Sequence, residues 1–350
     1  MTATRRGDIL RNRIGRVMRH LLASLVVVAF ACIASAANAQ APPLTTLRVL
    51  AFDGGWNLPI WVAQRNGLFE AQGLDVQLTY TPTSGFLVTS VLNGKSDLAF
   101  ATIDNVVAYQ EGQGEAKIPD DPDLFAFMGG DGGFFSLVAS PSVKSVAELK
   151  GKTISVDAMT TGLAFVVREL VSRGGLAESD VSFVRAGGTA TRYRELMAGK
   201  HDATLLRTPF ELLAESRGYH RIASAESLGA YQGTVGIARR SYAREHEAAL
   251  VGFLRAYKAA TDWLYDPANR EVAEALLVAH IGDMTPAMAR RSYDLLVSDK
   301  GGLSRDLRPD AAGIATVLQL RSKFATPQKA LADPQRYVDL AYYDKAFGKP

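Results

Sequence analysis

The chain has 350 residues, 47% of them hydrophobic, with 39 Lys and Arg against 36 Asp and Glu, a net charge of +3. That length supports two lobes with cores of their own, and the composition is that of a globular protein. The positive excess sits at one end: six arginines and one acid (Asp8) precede residue 40, so the remainder carries 33 basic against 35 acidic groups, a net −2, and leaves no case for nucleic acid or an anionic membrane as partner.

In chain order, the first elements are those of an export signal. Arg5, Arg6, Arg11, Arg13, Arg16 and Arg19 precede the apolar run Leu21 to Ile33, and Ala37-Asn38-Ala39 forms a small-x-small end. The run is short for a membrane span. Cleavage after Ala39 and a periplasmic location are therefore expected. A twin-arginine signal at Thr4-Arg5-Arg6 and a lipid on Cys32 are weaker variants, because Asp8 and Ala29-Phe30-Ala31 fit them poorly. Cys32 is the only cysteine and leaves with the signal, so the mature chain has no disulfide or thiol chemistry.

TTLRVLAF then reads as a buried strand running into Asp53-Gly54-Gly55-Trp56. A short helix restarts with Asn57 able to accept from its free N–H groups, Pro59 in its first turn and Gly67 at its end. LDVQLTY is a second strand, Phe86–Leu92 a helix closed by Asn93-Gly94, DLAF a strand and Asp104–Tyr109 a helix. The polar stretch EGQGEAKIPDDPD is a surface loop, and LFAFMGG and DGGFFSLVAS are extended. SVAELKGK is a short helix that Ser145 caps, TISVDA a strand, and TTGLAFVVRELVSRGGL a helix with Leu163, Val166, Leu170 and Val171 on one face. VSFVRA, a helix near Arg192–Met197, HDATLL and a helix over Phe210–Ser216 repeat the alternation; GTVGIARR is extended, and from Ser241 the chain is almost all helical.

This alternation predicts an α/β fold with mainly parallel sheets and flanking helices. Two glycine-bearing extended segments, near 128–140 and 229–239, flank a central block. Two lobes joined by two crossing strands would look like this. The segments QLTYTPTSGFLVTSVLNGKSDLAF and VSFVRAGGTATRYRELMAGKHDATLL share one logic: strand, small-residue turn, helix, Gly-Lys-x-Asp, strand. One such unit in each lobe predicts similar lobes.

The run GLFEAQGLDV followed by LNGKSDLAF, with VAELKGKTISV and LMAGKHDATLL further on, resembles the periplasmic binding proteins for nitrate, sulfonates, taurine and thiamine-pyrimidine precursors that serve ABC importers. The likeness runs from about Thr45 to about Arg240. It implies a two-lobed clamshell of type II, a ligand in the interlobe cleft, and partners consisting of a small organic solute and an inner-membrane permease. The boundaries expected are 1–39 for the signal, 43–132 plus 236–350 for lobe one and 133–235 for lobe two. The chain is expected to act as a monomer without cofactor, metal or catalysis. The alternatives are a periplasmic or pyrimidine-precursor-forming enzyme on the same fold, and an accessory protein of a sensor.

Ligands in open α/β sheets sit outside the carboxyl ends of the strands, so the turns after strands are the site candidates. In lobe one these are Asp53, Gly54, Gly55, Trp56, Asn57, Ser84, Thr102 and Asp104; in lobe two they are Thr160, Thr161, Gly162, Gly188 and Arg207, with Asp131 in the hinge. Gly54 and Gly55 would let a ligand approach the strand end. Trp56 either stacks on a planar ligand or packs in a core. Thr160-Thr161-Gly162 opens a helix and either meets an anionic oxygen or only caps it. Arg207 either pairs with a carboxylate or sulfonate or forms a salt bridge. Asp53, Asp104 and Asp131 are turn caps or ligand contacts. No two of His201, His220, His246 and His280 have metal-ligand spacing, Ser136 is in no nucleophile elbow, and neither a P-loop nor GxGxxG occurs.

Overall fold

The computed structural model describes residues 43–348, so the export signal read from residues 1–39, with Cys32, lies outside the described residues. The described strands form two five-stranded sheets. The first contains β1 (Thr45–Ala51), β2 (Leu74–Tyr80), β3 (Leu98–Thr102), β4 (Leu124–Gly129) and β10 (Thr234–Arg239), in the order β2-β1-β3-β10-β4. The second contains β5 (Phe135–Ala139), β6 (Thr153–Val156), β7 (Ser182–Arg185), β8 (Ala203–Arg207) and β9 (His220–Ser224), in the order β7-β6-β8-β5-β9.

Each sheet is parallel except for one strand. β10 runs antiparallel to β3 and β4, and β5 antiparallel to β8 and β9. In both cases it is the first strand after the chain changes sheets. The register gives the reason: Phe135 opens β5 opposite Arg207, the last residue of β8, and Thr234 opens β10 opposite Thr102, the last residue of β3. The chain thus enters each sheet at the carboxyl ends of its parallel strands and must run back the other way. The carboxyl ends of both sheets consequently meet at the crossings, 130–134 and 225–233.

The helices are α1 (Leu58–Arg65), α2 (Ser84–Leu92), α3 (Asp104–Gln110), α4 (Gly162–Arg173), α5 (Thr189–Met197), α6 (Phe210–Glu215), α7 (Arg240–Glu245), α8 (Glu247–Leu264), α9 (Arg270–His280), α10 (Pro286–Leu296), α11 (Ala311–Phe324) and α12 (Ala341–Phe347). β3 and β4 are buried along their whole length, as continuous apolar runs covered on both faces should be. Against the first sheet α8 lays an aromatic seam, with Phe100 and Tyr257 stacked at 5.6 Å and Phe69 and Phe253 at 5.2 Å between ring centroids. Gly67 adopts φ +66°, the left-handed conformation that closes the turn after α1.

The repeated Gly-Lys-x-Asp does the same work in both sheets. Gly94 and Gly199 each turn the chain at φ +68°. Asp97 then accepts from Arg48 N at 2.8 Å while its own N–H donates to Arg48 O at 2.9 Å; Asp202 accepts from Thr153 N at 2.9 Å and donates to Thr153 O at 2.9 Å. In each unit the aspartate fixes the register of two neighbouring parallel strands.

Three local expectations change. Ser145 does not cap; its hydroxyl donates to Glu148, which also accepts from Lys144 N, around a single 3-10 turn. β9 is an added edge strand, polar and half-exposed and so without an apolar period to signal it. α11 packs against α4, with Phe324 stacked on Phe165 at 6.0 Å and Lys323 bonded to Glu169 at 2.7 Å, so the last third of the chain touches the second sheet's helices as well.

Below the turn after β8, Glu211 is buried and accepts from Thr208 Oγ1 at 2.7 Å, while its Oε2 has no partner. Burial pushes its carboxyl up to about 7, against the smaller pull of the Thr208 hydrogen bond. The folded form therefore binds a proton that the unfolded form releases at lower pH, so stability is full at about pH 4 and falls as pH rises through about 7. Urea unfolding between pH 5 and 8 should show a loss on the order of 3 kcal/mol that Glu211→Gln removes; equal pH slopes in the two proteins would refute this assignment.

Candidate ligand site

The strand ends of the two sheets line a small cavity of about 30 Å³. From the first sheet come Phe52, Trp56, Ser84, Thr102 and Asn105; from the second come Asp157, Thr161, Gly188, Thr189, Arg192 and Arg207, with Thr234 at the crossing. Of the candidates read from sequence, Trp56, Ser84, Thr102, Thr161, Gly188 and Arg207 thus lie together.

Arg207 is the anchor. Its Nη2 donates to Asp131 Oδ2 at 2.7 Å and its Nη1 to Thr234 Oγ1 at 3.1 Å. Its guanidinium carbon stands 4.1 Å from the Trp56 ring centroid and 4.9 Å from those of Phe134 and Phe135. Nε has no partner. Asp131 in turn accepts from Gly133 N at 3.0 Å and Thr234 N at 3.2 Å, so one carboxylate ties both crossings to the end of β8. Asp131 therefore sits behind the cavity as the partner of Arg207.

Trp56 is 3% exposed and its ring lies back over its own turn. A Cβ on Gly54 would stand 2.1 Å from that ring, and one on Gly55 would stand 3.1 Å from Thr208 O and 3.3 Å from Leu296. The glycines were expected to admit a ligand; instead Gly54 makes room for Trp56, and Gly55 for the turn after β8. Asn57 does not accept from the helix start either. Its Nδ2 donates to Phe52 O at 2.7 Å and Gly54 O at 3.1 Å, stitching the turn to the end of β1.

The N-terminus of α4 also differs from expectation. Gly162 N donates to Asp104 Oδ2 at 2.6 Å, so the anion at this helix end is a side chain reaching over from α3. Arg321 of α11 clamps the same carboxylate with Nε at 2.7 Å and Nη2 at 2.9 Å; it also donates to Thr160 O at 2.9 Å and Gln113 Oε1 at 3.1 Å. Thr160 thus offers its carbonyl to a structural arginine, and the Thr161 hydroxyl donates to Ala158 O, not capping the helix. Asp104 and Arg321 are both buried, and the pair bridges α3, α4 and α11.

Two further contacts span the sheets. Gly188 N donates to Pro82 O at 3.1 Å, and the Ser84 hydroxyl donates to Asp157 Oδ2; Asp157 Oδ1 has no partner. At the N-terminus of α5, the N–H groups of Thr189, Ala190 and Thr191 have no acceptor among the described residues. Arg192 is wholly buried, and each of its nitrogens donates to a neutral oxygen: Thr204 Oγ1, Gly187 O, Thr189 Oγ1 and Leu205 O. Burial lowers its guanidinium to about 10 against the pull of Asp157, which keeps it charged at neutral pH. Asp53 lies apart, in an adjoining pocket with Tyr80, Pro82, Thr191 and Arg194, where burial pushes its carboxyl up and Arg194 and His280 oppose the shift.

Asp157 and Arg192 were not among the candidates. Asp157 directly follows β6 and the strand-end rule applies to it. Arg192 carried no such signal, because it lies inside a helix and is buried only by tertiary packing.

The NMT1/THI5-like family profile matches residues 57–270, more than half of the chain. The chain belongs to the NMT1/THI5-like family. YtlA of Bacillus subtilis (strain 168), whose name calls it a binding protein, is 29% identical over 262 residues, covering 71% of this chain and 76% of YtlA. Among solved structures, the periplasmic nitrate-binding protein NrtA from Synechocystis PCC 6803 superposes with a TM-score of 0.71 at 11% identity, over 88% of this chain and 89% of NrtA. The alkanesulfonate-binding protein SsuA from Xanthomonas axonopodis pv. citri, bound to MOPS, gives a TM-score of 0.64 at 18% identity, over 81% of this chain and 92% of SsuA. The two-lobed α/β fold of these binding proteins is therefore that of this family member. The same fold carries the desulfurization enzyme DSZB, at a TM-score of 0.60 and 12% identity over 86% of this chain and 98% of DSZB. Among the described residues no helix is long and apolar enough to cross a membrane.

The Asp104–Arg321 pair yields a direct test. Arg321→Met leaves a buried carboxylate without its cation and should cost about 3–5 kcal/mol in denaturant unfolding. Adding Asp104→Asn should recover a large part of that loss. Additive losses in the double variant would show that the two side chains are not coupled.

Proposed function

We propose that this chain is the solute-binding component of an ABC importer, exported to the periplasm, that captures a small organic solute between its lobes and presents it to an inner-membrane permease. The lobes would be 43–132 plus 236–350 and 133–235. The observation that carries this reading is the cavity itself. Its walls come from the strand ends of both sheets, and hydrogen bonds from Gly188 to Pro82 and from Ser84 to Asp157 hold those walls together. A solute held there touches both lobes, so binding favours the closed arrangement over an open one. The Trp56–Arg207 stack gives the cavity a planar wall with one unused N–H, suited to a sulfonate, a nitrate- or taurine-like anion or a heteroaromatic compound.

The enzyme reading rests on the fold shared with DSZB and predicts turnover. A thermal-shift screen over sulfonates, nitrate, aromatic acids, aminopyrimidines and taurine separates the two. A solute at 100 times its Kd should add about 2.7 kcal/mol of stability and be recovered unchanged. Chemical conversion of the stabilising solute would overturn the binding reading. Trp56→Ala should weaken the solute found in that screen by about 1–3 kcal/mol and also lower the melting temperature, because the ring both lines the cavity and fills the turn. Unchanged affinity in that variant would place the solute elsewhere.

A further inference from the structure

The charged groups around the cavity are balanced in an unusual way. Arg207 is already paired with Asp131, and Arg321 with Asp104. The remaining cation, Arg192, spends its donors on neutral oxygens. The remaining anion, Asp157, is 4% exposed; it lies near enough to Arg192 to pull on that guanidinium but makes no hydrogen bond to it, Ser84 of α2 holds its Oδ2, and its Oδ1 has no partner. A lone oxyanion entering this space would add a second negative charge beside Asp157 and leave Oδ1 still without a donor, which is costly in a buried setting. On the other side the same cavity holds donors without partners among the described residues: Arg207 Nε and, at the start of α5, the N–H of Thr189, with those of Ala190 and Thr191 toward the adjoining pocket.

We propose that Asp157 determines specificity by receiving a protonated or amidine-type nitrogen of the solute, while Arg207 Nε and the α5 N-terminus take an acceptor at its other end. The inference rests on the binding reading above and narrows its solute class to compounds carrying both groups. Ser84 acts as the positioning residue: by holding Oδ2 from the opposite sheet it turns Oδ1 to the solute only when the lobes are together. A carboxylate–nitrogen contact of this kind is charge-assisted and discriminates strongly against a methyl group in its place.

The test uses matched pairs of probes on the exported, full-length mature protein: taurine against propanesulfonate, and para-aminomethylbenzoate against para-methylbenzoate. The nitrogen-bearing member of at least one pair should bind about tenfold or more tightly by calorimetry. Asp157→Asn should erase that preference, and Ser84→Ala should reduce it, with both variants checked for folding by circular dichroism. Equal affinity within both pairs, or a preference that survives Asp157→Asn in folded protein, overturns the inference and leaves the binding reading standing. Silence with all four probes also overturns it; only silence across the wider solute screen brings down the binding reading too.

Discussion

The ion pair between Arg207 and Asp131 stands where the chain passes between its two sheets, and the rest of the structure is arranged around it. Asp131 belongs to the first crossing, Thr234 to the second, and Arg207 to the strand that the returning chain must pair with. Burying two charges is expensive, and a pair of this kind persists when further hydrogen bonds satisfy it. Here Gly133 N and Thr234 N complete the carboxylate, and three aromatic rings cover the guanidinium. The consequence for function is that the most prominent cation of the cavity arrives already neutralised. It stacks on Trp56 and keeps one N–H, Nε, without a partner among the described residues.

Asp104 carries a parallel lesson about helix termini. The start of α4 has the free N–H groups and dipole that attract an anion, and the molecule supplies that anion from α3. The start of α5, with the same chemistry, keeps three N–H groups without acceptors. The helix ends at TTG and GGT therefore differ in that a partner 58 residues away takes up the first, while none among the described residues takes up the second. Arg321, 217 residues from Asp104, completes the first arrangement.

What could be read from the sequence follows the range of the interactions. Strands that are apolar throughout, such as β3 and β4, and helices ended by glycine declared themselves locally. The Gly-Lys-x-Asp repeat announced two similar units because in both its aspartate bonds the parallel strand that lies beside the unit, β1 in one sheet and β6 in the other. The strand-end rule found Trp56, Thr102, Gly188 and Arg207, which do line the cavity, and missed Asp157 because the strand before it was read as TISVDA, two residues longer than β6. Gly162 was misread because the carboxylate it meets, Asp104 at the start of α3, is brought there by tertiary packing, whereas Asn57 and Gly54 meet groups of their own turn, Phe52 O and the Trp56 ring, in an arrangement that residue type alone does not signal.

The central claim is that the arrangement described, with Gly188 on Pro82, Ser84 on Asp157 and Asp104 on the start of α4, is the solute-holding state of two lobes that part when empty. Small-angle X-ray scattering of the mature protein, with and without a saturating solute whose binding is established by calorimetry, tests this most directly. The account predicts a larger radius of gyration without solute and, with it, a scattering curve that this structure fits. An identical curve in both conditions, with binding demonstrated, would contradict it.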